Sequence, residues 1–243
     1  MGEAEERQKQ EQKYIKMTTT PVEKLICSLA GPTIVSMLVT SFYNMADTFF
    51  VGKIGTSATG AVGIVFSVMA IIQAFGFFFG HGSGNYVSRK LGEKDFEEAS
   101  RMAATGFVSA FLAGLVIMIV GLIFLEPLCY LLGATPTILP HAKSYLLIGA
   151  PYMTAALGLN NQLRFQGSAF YGMIGITSGA VLNIVLDPLF IYVFHMGVAG
   201  AALATIISQF VSFLLLLRGT GTGGNVHIDL RKFSPSIQRY KII

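Results

Sequence analysis

Apolar residues run through this chain in long blocks, interrupted at short intervals by clusters of polar and charged ones. Six blocks are long enough, at about 20 residues each, to cross a bilayer as helices. They cover residues 25–51, 58–87, 102–125, 137–163, 169–194 and 198–217. A lipid-facing barrel needs strict alternation of polar and apolar positions, and the blocks show none. The pattern predicts an all-α membrane protein, a six-transmembrane-helix bundle over 25–217. Outside it lie a charged tail at 1–24 and a polar connector at 218–243.

Composition sharpens this into a membrane assignment. AVILMFWYC residues make up 53% of the chain and charged residues 12%, against about 25% charged in a soluble domain. Mean hydropathy is +0.62. The charges also have a side. The tail, the segment between spans two and three, the turn between four and five, and the connector hold 15 of the 17 bases, leaving only Lys53 and Lys143 elsewhere. Lys and Arg in short loops favour the cytoplasm, so both termini are expected there, with the chain multi-pass in the plasma (inner) membrane. The first 24 residues are charged rather than apolar, so no signal peptide is read in them. Residues 3–16, Gln-rich and of mixed sign, suit a solvated tail or a short surface helix. The net charge of +4 follows from this placement of bases, and no aromatic-basic patch points to nucleic acid.

Two acids break the apolar runs, Asp47 and Asp187. A carboxylate in mid-bilayer costs roughly 2.5–3.5 kcal/mol on insertion scales, and such residues are retained for function. At 1.5 Å per residue from the cytoplasmic end, Asp187 lies about 27 Å along its span and Asp47 about 33 Å along a longer, tilted one. Thr205 lies roughly 10 Å below the opposite face, so three helices bring polar groups to the outer half. Asn44 and Asp47 are spaced i, i+3, and Asn183 and Asp187 i, i+4, so each pair shares a helix face. Pro188 has no N–H to give the Ile184 carbonyl and bends the helix beside an acid. A kinked helix with a free carbonyl next to a carboxylate is a candidate cation site. Against this stands a structural reading, in which Asp47 caps or snorkels at a span end near Lys53 and Asn44 glues helices together.

The remaining motifs carry less. Cys27 and Cys129 fall near opposite membrane faces, lack metal-ligand spacing and suit small apolar filler. His81-Gly82-Ser83-Gly84 has neither nucleophile-elbow nor phosphate-loop spacing, and His141, His195 and His227 are scattered, so an enzyme is not expected. Glu126 reads as interfacial. Gly60, Ala61 and Gly63, and Gly197, Gly200, Ala201 and Ala204, allow close helix approach. Ala58-Thr59-Gly60-Ala61 faintly echoes Val198-Ala199-Gly200-Ala201. Met37, Phe42 and Tyr43 could line a small-molecule pocket, but residues of this kind more often fill helix interfaces or face lipid.

Three stretches resemble the multidrug and toxic compound extrusion (MATE) transporters, and their prokaryotic branch in particular: Tyr43 to Gly52 (YNMADTFFVG); Gly84 through Ser88-Arg89-Lys90-Leu91-Gly92 with Asp95 and Ala99; and Leu163 to Gly167 (LRFQG) leading to Leu182 through Ile191 (LNIVLDPLFI). The resemblance covers roughly residues 21–217. It implies a secondary antiporter that exports amphipathic or cationic organic compounds in exchange for protons or sodium. It also implies twelve helices in two six-helix lobes, the N-terminal lobe holding an acid-lined cation site and no cofactor. Asp47, Asn183, Asp187 and Thr205 match that site's polar positions, Asn44 adjoins it, and Asn160 is a looser match from a level nearer the cytoplasm. Only one lobe is present. A Gly- and Thr-rich stretch at 219–224 then reads as the start of a connector towards a second lobe, either a missing C-terminal half or a second protomer. The mechanism expected is competition between proton and sodium for one carboxylate pocket. Two alternatives remain open at this point: a flippase for lipid-linked or polysaccharide cargo, and a membrane assembly partner that transports nothing.

Overall fold

The structure is a computed structural model and describes residues 3–144, 150–223, 225–226 and 228–243. Among these residues it is helical, without a strand. Helix α1 (Glu3–Thr19) precedes α2 (Val22–Gly52), α3 (Thr56–Gly92) and α4 (Phe96–Ile123). After them come the short α5 (Leu125–Leu131) and α6 (Leu139–Ser144), then α7 (Ala150–Phe165), α8 (Ala169–Pro188), a π turn (Leu189–Val193), α9 (Val198–Thr222) and α10 (Ile237–Tyr240).

Among the described residues five stretches are long and apolar enough to cross a membrane: Val22–Gly52, Thr56–Gly92, Phe96–Ile123, Ala169–Val193 and Val198–Thr222. The fourth predicted span, 137–163, appears as α6 and α7, with 145–149 outside the described residues, as is His227. At the end holding most of the bases, helices outrun the apolar blocks. There α3 continues to Gly92, α4 starts at Phe96 and α9 reaches Thr222, because helix hydrogen bonding continues into water once polar side chains replace apolar ones.

Local chemistry sets the turns. Asp95 caps α4 by accepting the Glu98 N–H at 3.1 Å, with Glu97 and Glu98 in the first turn, where carboxylates oppose the helix dipole. Asp95→Ala is expected to destabilise the lobe by about 1 kcal/mol, read as a lowered melting temperature in detergent. Gly167, with φ of +73°, reverses the chain between α7 and α8 in a region that side chains disfavour.

Helix α7 is the hub. It packs on α3, α4, α8 and α9 and is buried on nearly every side. Close approach makes this possible: a β-carbon on Gly80 of α3 would lie 3.1 Å from the Gly158 Cα of α7. The two echoing segments meet at the opposite end, where Val51, Ala58, Val62, Val198, Ala201 and Ile191 form one cluster.

Helix α2 is peripheral. It packs chiefly on α8 and buries only Ser36, Asp47 and Val51. Its outward face shows Met37, Phe42, Met45 and Phe49. Cys27 is exposed on this helix, whereas Cys129 is buried; both are free thiols. Glu126 pairs with Lys143. The segment after α9 folds back on α4, where Arg239 makes a two-pronged contact with Glu98 at 3.0 and 3.1 Å and the Tyr240 and Ser109 hydroxyls meet at 2.9 Å.

Candidate functional site

Asp47 lies five residues before the end of α2, Asp187 one residue before the end of α8, and Thr205 two turns into α9. All three therefore sit towards the same end of the bundle. Both acids are buried, at 6% and 0% exposure. Asn183, one turn before Asp187, donates from Nδ2 to Asp187 Oδ1 and to Thr205 Oγ1, each at 3.4 Å. One side chain thus links α8 to α9. Asp187 also feels the charge of Asp47 across the α2–α8 interface.

Two oxygens in this cluster, Asp187 Oδ2 and Asn183 Oδ1, are buried with no hydrogen-bond partner among the described residues. Buried acceptors without donors are costly. A proton on the acid would turn one into a donor, and a hard cation, which prefers oxygen ligands, would take both. The donors gathered here, two carboxylates, an amide and a hydroxyl, are all hard oxygen groups.

The cluster borders a cavity of about 380 Å³ between α2, α3, α7, α8 and α9. Asn44, Asp47 and Thr205 are on its wall, while Asn183 and Asp187 lie behind, linked to it by the Thr205 contact. Most of the wall is apolar, including Val65, Phe66, Met69, Ile72 and Leu157. Asp47 is buried and faces this cavity, which disfavours the reading of an acid snorkelling at a span end. The Lys53 ammonium instead sits 4.4 Å from the Phe49 ring centre.

One expectation needs correction. Asn160 does not line the cavity. It is buried against Gly172 of α8, with Oδ1 unpartnered, and Gly172 precedes Asn183 by 11 residues, about 16 Å along a helix. After Pro188 the helix passes into the π turn, in which the Phe194 N–H reaches Leu189 O at 3.0 Å. The Leu189 N–H bonds Leu186 O, and the Tyr192 hydroxyl donates to Phe50 O at 2.8 Å. After Pro188 the chain thus combines one tight turn with one wide turn, and π turns of this kind are frequent near functional sites.

Sequence reading missed Gln73, Gln209 and Ser212 and undervalued Tyr43, all on the cavity wall. Tyr43 lies close to Gln209 and to both acids. The signal was available: Gln73 and Gln209 are the sole glutamines of α3 and α9, and an amide within an apolar span needs a partner.

A multi-pass helical bundle with a buried acid cluster beside a largely apolar cavity is the outline of a membrane transporter. The pattern defining the MatE family matches residues 32–189, and the chain belongs to that family. It is 30% identical over 213 residues to the multidrug export protein MepA of Staphylococcus aureus (strain MRSA252), a match covering 86% of this chain and 47% of that one. Its fold matches the outward-facing conformation of a multidrug resistance MATE family transporter of the MOP superfamily with a TM-score of 0.86 at 33% identity, over 94% of this chain and 52% of the other. A MOP superfamily transporter from Pyrococcus furiosus, described as having a binding pocket of reversed polarity that suggests a different function, matches equally well, with the same score, identity and coverage. The chain spans about half the length of the curated relatives it matches.

Proposed function

We propose that the chain forms one lobe of a secondary antiporter that exports amphipathic or cationic organic compounds in exchange for protons or sodium. One observation carries this reading: Asp47, Asn183, Asp187 and Thr205, from three helices, converge beside a cavity and leave two buried oxygens unpartnered. An ion arriving there changes the local charge by one. That change biases the packing of α2 against α8, and coupled export follows when ion and cargo favour opposite arrangements. An acidic cavity edge suits cationic cargo better than phosphate-bearing lipid. The second lobe, supplied by a C-terminal half or a second protomer, closes the cleft in this reading. The lobe sits in the plasma membrane with both termini cytoplasmic.

The test is reconstitution of the transporter containing this lobe in vesicles loaded with a cationic dye, with proton and sodium gradients imposed separately. Dye efflux driven by at least one gradient is expected. Efflux indifferent to both would remove the antiport reading. Thr205→Val keeps the shape and deletes one oxygen. A neutral hydrogen bond is worth roughly 0.5–1.5 kcal/mol, so the coupling ion should bind up to about tenfold more weakly while efflux persists. A complete loss in that variant would show that Thr205 does more than serve as one ligand among several.

A further inference from the structure

The charged N-terminal segment folds as α1, and four of its residues, Gln10, Lys13, Tyr14 and Met17, follow the i, i+3, i+4, i+7 spacing of a single helix face. That face makes the helix's tertiary contacts. Gln10 Nε2 donates to Asn225 O at 3.0 Å, beyond the end of α9. Lys13 Nζ donates to Ser168 Oγ at 3.0 Å and to the Gly223 carbonyl, and so binds the start of α8 and the C-terminal end of α9 together. The Tyr14 ring stacks under the Lys94 ammonium at 4.5 Å, at the α3–α4 turn. Met17 fills the space that a side chain on Gly167 would occupy, at the α7–α8 turn. The opposite face, including Glu11, Gln12, Ile15 and Lys16, is exposed.

Such a helix is a poor membrane binder. An interfacial helix needs a broad apolar face, whereas the docking face here is half polar and Ile15 points away from it. The contacts are specific instead. Burial first, and the neighbouring Lys16 second, lower the Lys13 ammonium to about 8, a cost that its two acceptors offset in the docked arrangement.

Only Thr20 and Pro21 separate α1 from α2, the helix that carries Asp47 and is buried at three residues alone. We propose that α1 is a docked strap that fixes the inner end of α2 to the ends of α7, α8 and α9, and so limits how far α2 can part from the helices holding Asn183, Asp187 and Thr205. Releasing the strap frees the inner end of α2 without touching the acid cluster.

Pulsed electron resonance on the full chain in lipid nanodiscs tests this without reference to transport. Nitroxides are placed on the native, exposed Cys27 of α2 and on Arg218→Cys of α9, with Cys129→Ala removing the buried thiol. The unaltered strap is expected to give one narrow distance peak. Lys13→Glu, which sets a carboxylate against the Gly223 carbonyl and removes the donor to Ser168 Oγ, should abolish that peak. Lys13→Gln, still a donor, and Glu11→Lys, on the exposed face, should retain it. A narrow peak that survives Lys13→Glu combined with Met17→Asp would overturn the proposal. So would a label at Ile15→Cys that reports lipid contact in the otherwise unaltered chain, since α1 would then lie on the bilayer and not on the lobe.

Discussion

Asp187→Asn is expected to abolish ion-driven efflux while leaving the lobe folded. The amide keeps the size of the carboxyl group, so the packing of α8 against α9 is preserved. What disappears is the one fully buried group in the cluster that can exchange a proton or present a full negative charge to a cation. Asn183 loses a charged acceptor, and the unpartnered Oδ2 position becomes a group that cannot neutralise an ion. In vesicles the variant should show dye movement independent of an imposed proton or sodium gradient, with an unaltered melting temperature. Asp47→Asn should lose coupling as well, since Asp47 contributes the second charge from the other side of the interface. Gradient response at the unaltered rate in both variants would leave the acid cluster without a transport role.

Gly179→Val is expected to damage the same site from below. A β-carbon at Gly179 would lie 2.7 Å from Ser212 Cβ and 2.9 Å from the Ser208 carbonyl, and the carbonyl cannot rotate away. The two helices must separate, at a cost of about 1–3 kcal/mol for overpacking, or roughly 2–4 °C in melting temperature per kcal/mol for a chain of this size. One turn along α8, the Asn183–Thr205 contact is already long at 3.4 Å and would not survive the separation. Efflux should therefore fall further than stability alone explains. Gly31→Ala is the matched control: nothing lies within 4 Å of its added carbon, and neither property should change. Equal loss in both glycine variants would mean that the α8–α9 spacing does not govern the result, since alanine itself favours a helix over glycine.

The helical lobe and the acid cluster were legible because each rests on a one-dimensional signal. Apolar blocks of bilayer length mark the helices, and an acid inside such a block is expensive enough to stand out. Depth arithmetic then brought Asp47, Asp187 and Thr205 to one level from the counting of residues alone. Three features were illegible for different reasons. Asn160 misled because position along a helix says nothing of the direction in which a side chain points; its amide faces Gly172 rather than the cavity. The π turn after Pro188 was hidden because proline announces a disrupted ladder without saying how the chain repairs it. The docking of α1 was out of reach because its partners, Ser168, Gly223 and Asn225, lie more than 150 residues away in sequence, and a mixed polar face resembles a solvated one until the recipient surface is seen.

The hub position of α7 bears on how members of such a family can diversify. A larger residue almost anywhere on that helix strikes one of four neighbours, so enlargement there is expected to cost the lobe its fold. Substitution is expected to be tolerated more readily on walls anchored elsewhere, such as Phe66, Met69 and Gln73 on α3 and Tyr43 on the peripheral α2. Evolvability and rigidity are thus assigned to different helices of one lobe.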